Sequence, residues 1–230
     1  MKILVIPDTH FPWVDYPCLH ACYKFAQIYK PDVVVQVGDL VDQKAWSQYP
    51  KDPSDPSPAD EWQMTVEGLT YLHKLFPDLT ILEGNHCRRI MCRALEARIP
   101  KQLIKTMDQM LNFEGWKWHL DVKPLIIDNI FFIHGDEMPG RAFHKAARVG
   151  KSVVQGHDHL GYLEFINTYG HEIFGMSCGS MLDRESLAAK YSAKNLLRSW
   201  TGWATVTHGE PALHRFKSGF EQQGELWIPK

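Results

Sequence analysis

Five short stretches of this 230-residue sequence carry side chains that suit a divalent cation. They are Asp8-Thr9-His10, Gly38-Asp39, Gly84-Asn85-His86, Ile133-His134-Gly135 and Gly156-His157-Asp158-His159. Carboxylate, imidazole and amide donors without thiolates favour hard-to-borderline ions such as Mn, Fe, Zn, Ni or Co. Asp8, Asp39, His10, His134, His157, His159 and Asn85 are too many ligands for one ion. Two ions about 3.5–4 Å apart, bridged by one carboxylate, would use them all. Water between such ions has its pKa lowered from about 15.7 to about 7, which makes a nucleophile near neutrality while the ions neutralise phosphate oxygens. The chemistry implied is in-line hydrolysis of a phosphoester, with no serine or cysteine nucleophile required.

Each stretch begins where an apolar run ends, so if those runs are strands the donors emerge together at one sheet edge. Residues 2–6, 33–37, 78–83, 130–133 and 152–155 read as these strands, and Val33-Val34-Val35 has the β-branched continuity of a parallel strand covered on both faces. Apolar spacing predicts helices over 17–29, 61–76, 88–111 with an interruption near Pro100, 140–149 and 187–200. Asp128-Asn129, between apolar runs at 124–127 and 130–133, predicts a hairpin. Residues 162–166, 171–176 and 203–208 read as antiparallel strands of a second sheet. Lys51 to Asp60, with Pro53, Pro56 and Pro58, reads as a surface loop, either a rim over the site or an ordinary excursion. The whole is an α/β pattern, read as a single domain over residues 1–230.

Composition narrows the partners. With 44% apolar and 23% charged residues the chain can bury a core. A net charge of −2 gives no global attraction to polyanions, so nucleic acid would need a local patch. Five cysteines without a CxxC pair argue against a disulfide framework and against a thiolate zinc site. The apolar runs are too short to span a membrane, and Met1-Lys2-Ile3 leads into a strand rather than a signal peptide, so a cytoplasmic protein is expected. P-loop, GxGxxG and HExxH patterns do not occur.

The order Asp-x-His, Gly-Asp, Gly-Asn-His, His-Gly, Gly-His-x-His resembles the calcineurin-like metallophosphoesterase family over residues 3 to about 180, and its small phage-encoded members in particular. The resemblance implies a four-layer α/β/β/α sandwich of two mixed sheets flanked by helices. It implies that Asp8, His10 and His159 hold one ion, that Asn85, His134 and His157 hold the other, and that Asp39 bridges them. Mn fits such a site first, with Ni, Fe, Zn, Co or Mg as alternatives. His86 would contact the phosphate and protonate the leaving oxygen. The family places Asp or Glu directly after Asn-His, whereas this chain has Cys87. Asp42 is the candidate substitute for that acid, and Cys87→Asp is expected to move the alkaline limb of the pH–rate profile upward.

The protein-phosphatase branch carries Gly-Asp-x-His-Gly and Gly-Asp-x-Val-Asp-Arg-Gly, where this chain reads Pro7-Asp8-Thr9-His10-Phe11 and Gly38-Asp39-Leu40-Val41-Asp42-Gln43. The reading is therefore a phosphodiesterase or nuclease, against the alternatives of a phosphomonoesterase or protein phosphatase and of a non-catalytic metal-binding scaffold. The substrate is a phosphoester, with a nucleotide or nucleic acid as the candidate carrier. Arg88, Arg89 and Trp13 are candidate substrate contacts, and Arg141, Lys145 and Arg148 could form one basic face near His134. Gly175-Met176-Ser177-Cys178-Gly179 matches a nucleophile elbow in pattern but lacks its strand–turn–helix context, so a structural turn is expected. His20, His73, His119, His144 and His171 have no partner pattern and are given no chemistry.

Overall fold

The computed structural model describes residues 1–120, 123–190, 199–217, 220–223 and 226–229. The first half contains β1 (Lys2–Ile6), α1 (Tyr16–Tyr29), β2 (Val33–Gln36), a 3₁₀ turn at Lys44–Trp46, α2 (Pro58–Leu75), β3 (Leu79–Leu82), α3 (Arg89–Glu96), a second 3₁₀ turn at Lys101–Leu103, α4 (Met107–Met110) and β4 (Trp116–His119). The second half contains β5 (Leu125–Ile127), β6 (Ile130–Ile133), α5 (Ala142–Val149), β7 (Val153–Gln155), β8 (Gly161–Thr168) and β9 (His171–Cys178). It ends with α6 (Leu187–Lys190), β10 (Gly202–Thr207), β11 (Glu210–Arg215) and a small pair, β12 (Phe220–Gln223) and β13 (Leu226–Pro229).

Two mixed sheets result. One has the order β11-β10-β1-β2-β3-β4, with β1 to β4 parallel, and the other the order β5-β6-β7-β9-β8, with β6, β7 and β9 parallel. Alternation along the strands assigns every layer. In β1, Ile3 and Val5 face the second sheet, whereas Leu4 and Ile6 face Leu19 and Cys22 of α1 and Leu69 and Leu72 of α2. In β6, Ile130 and Phe132 meet Ile3 and Val5, while Ile133 turns outward to Ala142 and Ala146 of α5. The α/β/β/α order follows from these period-2 patterns. Among the described residues no helix is long and apolar enough to cross a membrane.

Local chemistry sets the element ends. Asp15 accepts from the Cys18 amide at 2.9 Å and Pro17 enters the first turn of α1, while Lys30 closes it in a left-handed conformation. Asp128 and Asn129 take φ of 51° and 63°, the mirror-image turn that matches the twist of a two-residue hairpin. Ser57 caps α2 through the Asp60 amide at 3.2 Å, so that helix starts inside the stretch read as loop.

One expectation needs correction. The strand read at 203–208 does not join the second sheet: β10 pairs antiparallel with β1 in the first. The interruption expected near Pro100 is present, and residues 88–111 hold α3, a 3₁₀ turn and α4, the last opened by the Thr106 capping box. The strand Trp116–His119 was not anticipated. Of the helix read over 187–200, Leu187–Lys190 is helical and residues 191–198 lie outside the described residues.

Candidate metal centre

The carboxyl ends of β1, β2, β3, β6 and β7 open on the same side, and the five stretches follow those ends directly. The loops are tied to each other. The His10 and Phe11 amides donate to the Asp39 and Leu40 carbonyls at 2.9 and 3.0 Å, and the Gly156 amide donates to the His134 carbonyl at 3.0 Å. The two sheets are joined at the site by His134 Nδ1, which donates to the Val37 carbonyl at 3.0 Å.

The donors fall into adjoining groups. Asp8, His10 and His159 offer ligand atoms within 4.8 Å of one another, as do Asp39, His134 and His157, and His10, Asp39 and His86 do the same between them. His10 Nε2 lies 3.0 Å from His159 Nε2, which is 3.3 Å from Asp8 Oδ2. Asn85 Oδ1 lies 2.9 Å from His134 Nε2 and 3.0 Å from His157 Nδ1, and His134 Nε2 is 3.2 Å from Asp39 Oδ2. Asp8, His10, Asp39 and His134 are buried, whereas His157 is exposed, so the cluster opens to solvent on the His157 side.

This donor set fits a cation. His10 Nδ1 faces Asp42 Oδ1 at 2.9 Å and His134 Nδ1 faces a carbonyl, both acceptors only, which fixes the proton on Nδ1 and aims each Nε2 into the cluster. Burial lowers the His10 pKa, so its Nε2 presents a lone pair. Asp8 Oδ1 is buried and accepts no hydrogen bond from any described residue. A buried carboxylate oxygen without a donor is costly unless a cation meets it.

The motif glycines make room for these groups. A Cβ on Gly156 would lie 2.1 Å from Asp8 Oδ1, one on Gly84 2.2 Å from Asp39 Oδ1, and one on Gly38 2.3 Å from His134 Nδ1. Four candidate ligands adopt left-handed backbone, with φ of 50° at His10, 47° at Asp39, 69° at His157 and 56° at His159. Such conformations cost on the order of 1 kcal/mol or more each and gather at functional sites.

His86 adjoins the cluster with Nε2 3.8 Å from Asp39 Oδ2 and Nδ1 2.8 Å from Asp42 Oδ1. Burial pulls its pKa down, but the Asp39 and Asp42 carboxylates outweigh that and hold it above its ordinary value. The Asp42 carboxyl, opposed by burial but flanked by His86 and His10, sits below the usual range. Cys87 is buried, and burial pushes its thiol up to about 12, so it is an inert core group rather than a substitute acid.

The candidate substrate contacts separate. Arg89 Nη1 donates to the Asp42 carbonyl at 2.8 Å and Nη2 lies 3.0 Å from His86 Nε2, at the site itself. Arg88 is engaged by Asp136 and the Glu83 carbonyl, and Trp13 packs on Leu182, Ala188 and Ala189. The basic face read on α5 does not form. Lys145 is buried with Nζ on the Gly135 carbonyl at 2.6 Å, while Arg141 lies over the Tyr162 ring and 3.5 Å from Glu164. Ser177 is buried in β9, where its hydroxyl donates to Asp158, so the elbow-like pattern is a strand end.

Asp158 was overlooked, although its place between two histidines was the signal. It accepts from Gln155 Nε2 and the Tyr162 hydroxyl at 3.0 Å each, from the Leu160 amide at 3.0 Å and from Ser177. These bonds fix the turn that carries His157 and His159.

The chain is similar to several known proteins. Gene 54 protein of Mycobacterium phage D29 is 26% identical over 255 residues, and that of Mycobacterium phage L5 27%, each alignment covering 98% of this chain and 98% of the relative. Among solved structures, Yfce, a phosphoesterase from E. coli, aligns at TM-score 0.46 and 16% identity over 90% of this chain and 88% of its own. A single mutant of Vps29 from Entamoeba histolytica aligns at TM-score 0.42 and 12% identity, over 94% and 98%. A sequence profile of the calcineurin-like phosphoesterases matches residues 1–198, and the chain belongs to that family of metal-dependent phosphoester hydrolases.

Proposed function

We propose that this protein is a two-metal phosphodiesterase of nuclease type, a single domain in which Asp8, His10 and His159 hold one divalent ion and Asn85, His134 and His157 the other. Asp39 supports this reading, because its carboxylate belongs to the group with His134 and His157 and also to the group with His10 and His86. A carboxylate common to neighbouring donor groups suits a bridge. Mn is the ion assigned first, with Ni, Fe, Zn, Co or Mg as alternatives, on the grounds of oxygen and nitrogen donors. When bound, the ions supply neutralisation of the phosphate oxygens and activation of water.

The chain's own groups then have distinct tasks. His86, with Nδ1 held by Asp42, is assigned to protonate the departing oxygen through Nε2 once Arg89 Nη2, 3.0 Å from it, turns to the phosphate, and the two carboxylates beside it favour the charged imidazole. Arg89, next to His86 Nε2, places a guanidinium where a phosphate oxygen gains charge. Asp158 holds the His157/His159 turn. The preference for a diester rests on the departures from the protein-phosphatase pattern at Pro7, Phe11 and Gln43.

The test is turnover of bis(p-nitrophenyl) phosphate and p-nitrophenyl phosphate by Mn- and Ni-loaded protein. The diester is expected to have the higher kcat/KM, and Asp39→Ala or Asn85→Ala to lose activity by about a hundredfold or more. Preference for the monoester would make the enzyme a phosphomonoesterase. Absence of turnover with every divalent ion would leave a metal-binding scaffold.

A further inference from the structure

A cleft of about 470 Å³ opens beside the metal centre and shares Asn85 and Arg89 with it. Trp46, Tyr49, Cys92 and Arg93 line its other walls. Its size falls within the range of about 300–1,000 Å³ usual for small-molecule sites. Trp46 is 37% exposed and Tyr49 64%, so two large rings border the cleft rather than the core.

The backbone beneath those rings is fixed. The Glu61 carboxylate accepts from the Lys44 and Ala45 amides at 2.6 and 2.7 Å, and Arg93 Nε donates to the Trp46 carbonyl at 2.9 Å. Lys51 Nζ donates to the Ser47 and Tyr49 carbonyls at 2.7 and 3.2 Å. An exposed ring on a tethered backbone is a stacking platform that needs little further ordering. Its walls carry both signs: Arg93 pairs with Glu96, which also lines the cleft, and Arg89 is held on the Asp42 carbonyl, while Lys51 stands in the field of Arg89 and Arg93 and of the Asp55 and Glu61 carboxylates.

The cleft meets the metal centre at Arg89, which lies 3.0 Å from His86 Nε2. An occupant of the cleft beside Arg89 therefore lies next to the imidazole proposed to protonate the leaving group. Rings that accept a flat π-face, together with cations that accept a phosphate backbone, describe single-stranded nucleic acid chemistry.

Resting on the phosphodiesterase reading, we propose that this cleft binds the leaving nucleoside of a single-stranded nucleotide diester, its base stacked on Trp46 and Tyr49 and its sugar–phosphate chain beside Arg89 and Arg93. The test compares thymidylyl-(3′→5′)-thymidine with its two analogues that lack one base or the other, using Mn-loaded protein. One analogue is expected to fall about tenfold in kcat/KM, the size of one lost stacking contact. Trp46→Ala should abolish that ratio and Trp46→Phe retain it. A ratio near one in the wild type, or a ratio unaltered in Trp46→Ala, overturns the proposal. If the wild type cleaves none of the dinucleotides or aryl diesters, the phosphodiesterase reading fails, and equilibrium dialysis of thymidine 5′-monophosphate then decides the cleft separately. Binding about tenfold weaker in Trp46→Ala supports it; an equal Kd rejects it.

Discussion

Asp42 Oδ1 lies 2.8 Å from Nδ1 of His86. The same oxygen is 2.9 Å from Nδ1 of His10, so one buried carboxylate orients both an imidazole aimed into the metal cluster and the imidazole proposed as general acid. It comes from the loop after β2, forty-four positions from His86, and does the work that an acid directly after His86 would otherwise do.

Asp42→Asn tests this arrangement. Removing the charge takes away part of what holds the His86 pKa above its ordinary value. The protonated form is then lost at lower pH, so the alkaline limb of the kcat/KM profile should move toward acid. Activity at neutral pH should fall about ten- to a hundredfold, within the reach of general-acid catalysis. An unmoved limb would separate Asp42 from His86 function.

Cys87→Asp now carries a different expectation from the one the sequence suggests. The position is 3% exposed, and Asp39 already places a negative charge nearby, raising the thiol further. Burial and the Asp39 charge both oppose a carboxylate there, with only the Val41 and Gly84 amides to receive it, so the variant should lose about 2 kcal/mol or more in urea unfolding. The alkaline limb should not rise, because Asp42 already occupies the orienting contact. Cys87→Ala should keep the wild-type pH profile.

Metal loading should release protons. The Asp39 carboxylate outweighs burial and lifts the His134 imidazole to about 10, so near neutrality an incoming cation must displace a proton from it. Calorimetric titration with Mn in buffers of different ionisation enthalpy should show release of at least about one proton at pH 7. The sign for stability follows. Between the ordinary value of 6.5 and about 10 the folded metal-free protein binds the extra proton and the unfolded chain does not, so unfolding free energy falls as pH rises through that window. Urea midpoints of chelator-treated protein across this range check it, and a midpoint that rises with pH would contradict the His134–Asp39 assignment.

Asp158→Asn should weaken Mn binding about ten- to a hundredfold, the usual effect of loosening the groups that orient ligands. The hydrogen bonds from Ser177, Tyr162 and Gln155 all lose a charged acceptor. Excess Mn should then restore most of the activity, as a merely unfolded variant would not.

The donor stretches were legible in the sequence because each follows a strand within a few residues, so β-structure and chemistry are written side by side. Other features depended on distant partners. Residues 203–208 read as a strand, but the pattern is silent on which sheet receives it, and pairing with β1 decides that. Lys145 looks like part of a solvated face until the Gly135 carbonyl is placed against its ammonium. The aromatic cleft was equally hidden, since Trp46 is positioned by Glu61 and Arg93 from two other helices.

Three of the four glycines in these stretches form an interlock across strands, each leaving space for a donor from a different stretch: Gly38 for His134, Gly84 for Asp39, Gly156 for Asp8. One added methyl group would evict a neighbour's ligand rather than disturb its own loop. The five stretches are thus keyed to one another like parts of a lock, and none of them can drift alone. Enlarging any one of these glycines therefore calls for a matching change in the neighbour whose donor it shelters.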